Sequence, residues 1–311
     1  MTSQSTTRQS TSRVDIYQAI TDQIITAIEA GAGPVQMPWH RSGAGITRPM
    51  NVDSGKAYRG INTVALWAAA INGGFCHGLW GTYRQWQDRG AQVRKGETSS
   101  PIIFFKAFEA EDQTSEDGKG RRFEGRRCMA QASRVFNVGQ VDGYTAPTID
   151  QATDAIDPIA RVDRFIRGTG ARIREGGDQA YYSPLTDTIT MPDRFRFVGT
   201  KTSTATESWY STLLHELVHQ SGHESRLKRR FGARFGDDAY AIEEMVADLG
   251  SCFLCADLGI ASDPRPDHAA YIAQWFRIMK GDRKAIFAAA SAASTACQYL
   301  AGLQDKEQAA I

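Results

Sequence analysis

His215 and His219, four residues apart with Glu216 directly after the first, are the side chains here whose types and spacing point most clearly to chemistry. On a helix, residues four apart lie one turn apart on the same face, so both imidazoles can reach one tetrahedral zinc ion. Glu216 is then placed to act as base on a water at that ion, and the reaction this pattern suits is peptide hydrolysis. A catalytic zinc takes three protein ligands and leaves a fourth position open. His223, Glu243 and Glu244 are the candidates for the third. His223 follows Gly222, where the helix should stop, and it sits closer to His219 than the last histidine of HExxHxxGxxH does. Glu243 and Glu244 fall on a separate expected helix, and Asp248, one turn after Glu244, is placed to accept a ring N–H from a metal-bound histidine. Tyr240 reads as a packing residue first and as an extra oxyanion donor second.

These residues need helices to hold them, and the carboxy-terminal half supplies the pattern. A helix is expected over 158–168, short strands near 171–174, 180–182 and 188–191, then helices over 206–222, 239–258, 268–280 and 283–303. The strand at 187–191 is either an exposed edge able to take a peptide as an added strand or an ordinary core strand. Cys252 and Cys255 lie within a helical apolar pattern without a second cysteine pair nearby, so they read as core.

The amino-terminal half reads differently. Residues 1–12 are nearly all Ser, Thr, Gln and Arg and are expected to be a disordered tail. Helices are expected over 15–30, 62–70 with Asn62 as its cap, and 82–89. Strands over 102–108 and 129–138 form a hairpin around a charged, Gly-rich loop at 109–127. The turn-rich stretch 141–157 is a linker, which divides the chain into domains at 13–140 and 158–305. Segregated helices and small sheets make the fold class α+β.

The 311 residues carry a net charge of +1, yet residues 13–108 hold ten Lys or Arg against six Asp or Glu. Basic residues there alternate with aromatics, as in Lys56-Ala-Tyr58-Arg59 and Trp80-Gly-Thr-Tyr83-Arg84-Gln-Trp86. Rings beside cations are what sequence-tolerant single-strand binding uses. Five scattered cysteines argue against a disulfide framework. No apolar run approaches the roughly 20 residues of a membrane helix, and MTSQSTTRQSTSR lacks a secretory apolar stretch, so a cytoplasmic protein without a membrane partner is expected.

HExxH followed by ExxxD resembles the gluzincins, and that resemblance implies Glu244 as the third ligand with Asp248 behind the ligands. A wider resemblance rests on 49–62 (PMNVDSGKAYRGIN), Trp80-Gly-Thr-Tyr83, 90–97 (GAQVRKGE) and 215–226 (HELVHQSGHESR). These segments are similar to ArdC-type antirestriction proteins of conjugative plasmids. The resemblance implies an amino-terminal single-stranded DNA-binding domain, a carboxy-terminal zincin-like metallopeptidase domain with one zinc ion, and protection of incoming plasmid DNA from restriction. Within those segments Lys56, Tyr58, Arg59 and Asn62 occupy a Gly-rich turn, and Arg94 and Lys95 a second basic turn; these are the expected DNA contacts. Two other readings fit the same motif: a DNA-associated protease similar to SprT enzymes that cleaves DNA-bound proteins, and a zinc peptidase whose first domain binds a protein substrate.

Overall fold

The computed structural model describes residues 15–30, 47–108, 127–146, 158–199, 203–231, 238–262 and 268–304. The expected tail at 1–12, all but one residue of the loop at 109–127 and most of the linker lie outside them.

In chain order the first half contains α1 (Ile16–Ala30), β1 (Met50–Asn51), α2 (Ile61–Gly73), β2 (Leu79–Gly81), α3 (Tyr83–Gln87), β3 (Gln92–Val93), β4 (Ser100–Phe108), β5 (Arg127–Asn137) and β6 (Val141–Asp142). Asp15 caps α1 by accepting the Tyr17 N–H at 3.0 Å, and the Ile20 and Ile24 stripe is fully buried. Nearly the whole of α2 is buried, because it lies between β4, α1 and the carboxy-terminal helices. The β4–β5 hairpin is antiparallel along all nine residues of β4, and β5 also pairs with β2, giving the sheet order β1-β2-β5-β4. β3 and β6 form a separate ribbon, so Val141 and Asp142, assigned to the linker by their turn-rich neighbours, belong to a sheet.

The second half contains α4 (Pro158–Gly168), β7 (Ile173–Glu175), β8 (Tyr181–Ser183), β9 (Thr188–Met191), α5 (Ala205–Ser221), α6 (Asp238–Leu258), α7 (His268–Gly281) and α8 (Ala285–Gly302). β9 is not an edge. It runs between β7 and β8 with Ile189 and Met191 fully buried, so its backbone is already paired on both sides and cannot take a peptide as an added strand.

The largest apolar core draws on both halves: Ile20, Ile24 and Trp67 pack in one cluster with Trp209, Leu213, Phe253 and Ala290. Polar ties follow the same seam. The Gly60 N–H donates to Ser294 Oγ at 2.8 Å, and Arg48 pairs with Asp257 at 2.8 Å while stacking 4.5 Å over the Phe253 ring. Each fully buried large apolar side chain contributes about 1.5–3 kcal/mol, so this seam is a stabilising core and not a loose hinge. Among the described residues no helix is long and apolar enough to cross a membrane.

Candidate metal centre

Helix α5 starts on a capping box: Thr204 Oγ1 accepts the Glu207 N–H at 3.1 Å while Glu207 Oε2 accepts the Thr204 N–H at 2.9 Å. From Trp209 to Ser221 every residue is buried, so the polar side chains of this stretch face protein and not solvent. His215 is 1 % exposed, Glu216 2 % and His219 8 %. Helix α6 crosses α5 and presents Glu243, Glu244 and Asp248, all buried. Gly250 makes the crossing close. A Cβ at that position would come within 2.8 Å of Val218 Cγ2, the neighbour of His219.

The crossing brings three donors together. His215 Nε2 and His219 Nε2 are 3.1 Å apart, and the Glu244 carboxylate lies 3.4 Å from the first and 3.5 Å from the second. Ligands about 2.1 Å from a tetrahedral ion are separated by about 3.4 Å, so the two imidazoles and one carboxylate already stand at the spacing one such ion requires. Among the described residues this is the only group of three or more His, Cys, Asp or Glu so placed. Burial alone would raise the Glu244 pKa, but hydrogen bonds from His215 and His219 outweigh it and hold the carboxyl well below its usual range.

The structure separates the three candidates for the third ligand. His223 lies outside the cluster: its Nδ1 sits 2.8 Å from Ser225 Oγ and accepts the Ser225 N–H, which ties it into the turn after α5. Glu243 faces the outer nitrogen of His219, with Oε1 3.1 Å from Nδ1. Arg229 holds that carboxylate by three hydrogen bonds, Nη2 to Oε1 at 2.8 Å, Nε to Oε2 at 3.0 Å and Nε to Oε1 at 3.3 Å, and donates to Val218 O and Ser221 Oγ as well. Glu243 is therefore a carboxylate placed to orient a candidate ligand, a part the sequence reading had not given it. Asp248 is 1 % exposed, one turn beyond Glu244. Arg229 escaped sequence reading altogether, because nothing in an irregular segment after a helix marks one arginine over its neighbours. Tyr240 is half-buried against the main core, as a packing tyrosine would be.

A second network braces the turn after α5. Arg226 donates to both oxygens of Asp187, to Tyr182 Oη and to Gln220 O, and Tyr182 donates to Asp187 at 2.9 Å. Hydrogen bonding from Arg226 leads in drawing the Asp187 pKa down to about 2, against its partial burial. Phe231 lies between this network and the centre, with ring centroids 6.1 Å from Tyr182 and 6.2 Å from His219. Cys252 and Cys255 are buried, and burial pushes both thiols up, which keeps them protonated core residues.

The expected DNA contacts divide. Lys56, Arg59, Arg94 and Lys95 are exposed. Tyr58 and Asn62 are not available as contacts, because their polar atoms are spent inside the fold. Tyr58 is 7 % exposed and its hydroxyl accepts from Asn51. Asn62 is 8 % exposed and clamps the backbone of Ile103, donating to its carbonyl at 2.8 Å and accepting its N–H at 2.9 Å. Nor does Asn62 cap α2, which begins on Gly60 at φ 56°.

A buried HExxH helix crossed by a second helix that supplies a carboxylate defines a zincin-like metallopeptidase unit, joined here to a separate α+β unit. Residues 160–292 match the zincin-like metallopeptidase family, and residues 14–136 match the N-terminal domain of anti-restriction factor ArdC. The uncharacterized protein y4eC of Sinorhizobium fredii (strain NBRC 101917 / NGR234) is 45 % identical over 94 % of both chains. DNA primase TraC of Escherichia coli is 33 % identical over 94 % of this chain, which corresponds to 27 % of TraC. The Mn(II)-bound crystal structure of antirestriction protein ArdC from plasmid R388 is 36 % identical, with a TM-score of 0.73 over 93 % of this chain and 98 % of that one. The chain belongs to the ArdC family of antirestriction proteins.

Proposed function

We propose that this chain is an antirestriction protein that binds single-stranded DNA, protects incoming plasmid DNA in the cytoplasm, and holds one zinc ion at a peptide-hydrolysing centre. The observation that carries the catalytic part is the buried convergence of His215, His219 and Glu244 at the spacing of a single tetrahedral ion. Family membership supports the antirestriction role, and the Mn(II) bound by the R388 relative supports a divalent ion. Two imidazoles and one carboxylate suit zinc, which such sites hold more tightly than manganese.

When bound, the ion supplies Lewis acidity and lowers the pKa of a water toward neutrality. His215, His219 and Glu244 would hold it, with Glu243 accepting the Nδ1–H of His219 and so fixing the tautomer that leaves Nε2 free for the ion. Glu216 takes the proton from the attacking water as its oxygen bonds to the peptide carbon, then delivers that proton to the amine as the C–N bond breaks. Exposed Lys56, Arg59 and Lys95 serve as phosphate contacts for the DNA strand, each weakening binding and its salt dependence when removed.

The test is a restriction-protection assay on wild type and Glu216→Gln, run beside zinc content and hydrolysis of an unfolded protein. Wild type should carry one zinc and cleave, and Glu216→Gln should keep the zinc and lose cleavage. Undiminished cleavage by Glu216→Gln removes Glu216 as the base. Absence of protection by the wild type removes the antirestriction role, and cleavage confined to DNA-bound proteins would favour a DNA-associated protease.

A further inference from the structure

The first turn of α3, the β3 strand, the end of β5 and Asp142 line an open cleft of about 690 Å³ on the amino-terminal unit, which shares no lining residue with the metal centre. We propose that this cleft is a stacking pocket for one base of single-stranded DNA; the inference rests on the single-strand-binding reading above and gives it a specific site.

Three observations point to a base. Tyr83 is 43 % exposed on the cleft wall, and Phe136 meets it edge-on, with centroids 6.5 Å apart and planes at 69°. The two rings form a corner in which Phe136 packs back against the core and Tyr83 is the exposed ring. The Tyr83 ring is also held in place: its hydroxyl accepts from Gln92 Nε2 at 2.8 Å. An exposed, braced aromatic face is the element single-strand binders use, because every base has a π-face.

The charges of the rim select the same ligand. Arg94 and Lys95 are balanced by Glu97 and Asp142, so the cleft as a whole is not a site for a bare polyphosphate. Arg94 is committed to Glu97 at 2.8 Å and to Asp142 at 3.6 Å. Lys95 forms no ion pair with any described residue and is left for the strand's phosphate. Asp142, whose side chain is largely exposed, offers an acceptor for exocyclic amino groups, which adenine, guanine and cytosine carry and thymine lacks.

The cleft is also connected to the other basic turn. Arg89 pairs with Asp53 at 2.8 Å, and the Asn51 amide donates to Gln85 at 3.2 Å, so the turn carrying Lys56 is anchored on α3, the helix that presents Tyr83. One strand can therefore touch Lys56 and place a base against Tyr83 across a single short element.

The test is fluorescence anisotropy on the full chain with a mixed-sequence single-stranded oligonucleotide and a version of equal length with abasic positions, using wild type, Tyr83→Ala and Tyr83→Phe. Tyr83→Ala should weaken binding of the normal strand about 5- to 150-fold, with the salt slope unchanged since no cation is lost. Tyr83→Phe keeps the ring and should stay within about twofold of wild type. Abasic substitution should weaken wild-type binding and leave Tyr83→Ala nearly unaffected. Wild type that binds normal and abasic strands equally overturns the pocket without any variant having to fold, as does Tyr83→Ala that binds as tightly as wild type; single-strand binding itself then stands. A wild type that fails to bind single strands even at low salt overturns the underlying reading and the pocket with it.

Discussion

Replacing Glu243 with Gln removes the charge behind His219 while leaving an oxygen to accept its Nδ1–H, so the variant isolates what that charge does for the centre. Carboxylates in this position are worth about 10- to 100-fold in metal affinity. Here the lower end applies, because Arg229 already neutralises Glu243 through three hydrogen bonds. The expected loss is about tenfold, or about 1.4 kcal/mol. Glu244→Gln should lose far more, since it removes a ligand charge directly. The assay is competition for Zn²⁺ against a chromophoric chelator at fixed pH. Glu243→Gln also sets an amide N–H against the Arg229 guanidinium, at about 1–3 kcal/mol of stability, so affinities are compared at temperatures where both proteins are folded. If Glu243→Gln binds within a factor of two of wild type while Glu244→Gln is impaired, the Glu243–His219 bond is packing only. If both bind normally, the ligand set is wrong.

Four further outcomes follow from the same geometry. Burial disfavours the charged form of His219, but Glu243 and Glu244 outweigh it and raise its pKa from 6.5 to about 10 in the metal-free protein. Zinc must displace that proton, so its apparent affinity should climb with pH through this range, while the stability the proton lends the metal-free fold is complete below 6.5 and lost as pH rises toward 10, as urea midpoints will show. Gly250→Ala drives a methyl into Val218 and should cost about 1–3 kcal/mol in thermal unfolding, together with weaker metal binding as α5 and α6 part. Asn62→Ala strips both backbone bonds from Ile103 and should lower stability by about 1–3 kcal/mol without changing the salt dependence of DNA binding. Arg226→Ala should cost about 1.5–3 kcal/mol at neutral pH and less in acid, because the depressed Asp187 pKa contributes stability above 3.8 that disappears as pH falls toward 2.

Much of the fold was legible because its elements are long and periodic. The helix expected over 158–168 and the strand over 188–191 coincide with α4 and β9, and the helix bearing HExxH differs from α5 by one residue at each end. β1, β2, β3 and β6 were not, since two or three residues show no period of their own and these lie in turn-rich or helix-flanking stretches. Tyr58 and Asn62 show the matching limit for sites. A polar residue in a Gly-rich turn reads as a contact from sequence, and only packing reveals that its hydrogen bonds are turned inward.

The two histidines and Glu216 could be read as a unit from the chain alone, because spacing along one helix is local geometry that five residues suffice to specify. The sequence also narrowed the third ligand to a few residues. The gluzincin resemblance already pointed to Glu244; that its carboxylate, and not His223, lies beside both Nε2 atoms, and that Glu243 and Arg229 stand behind His219, is seen only in three dimensions. Those relations depend on where α6 crosses α5, which is governed by the close approach at Gly250 and by a core assembled from both halves of the chain, and no spacing along the sequence encodes it.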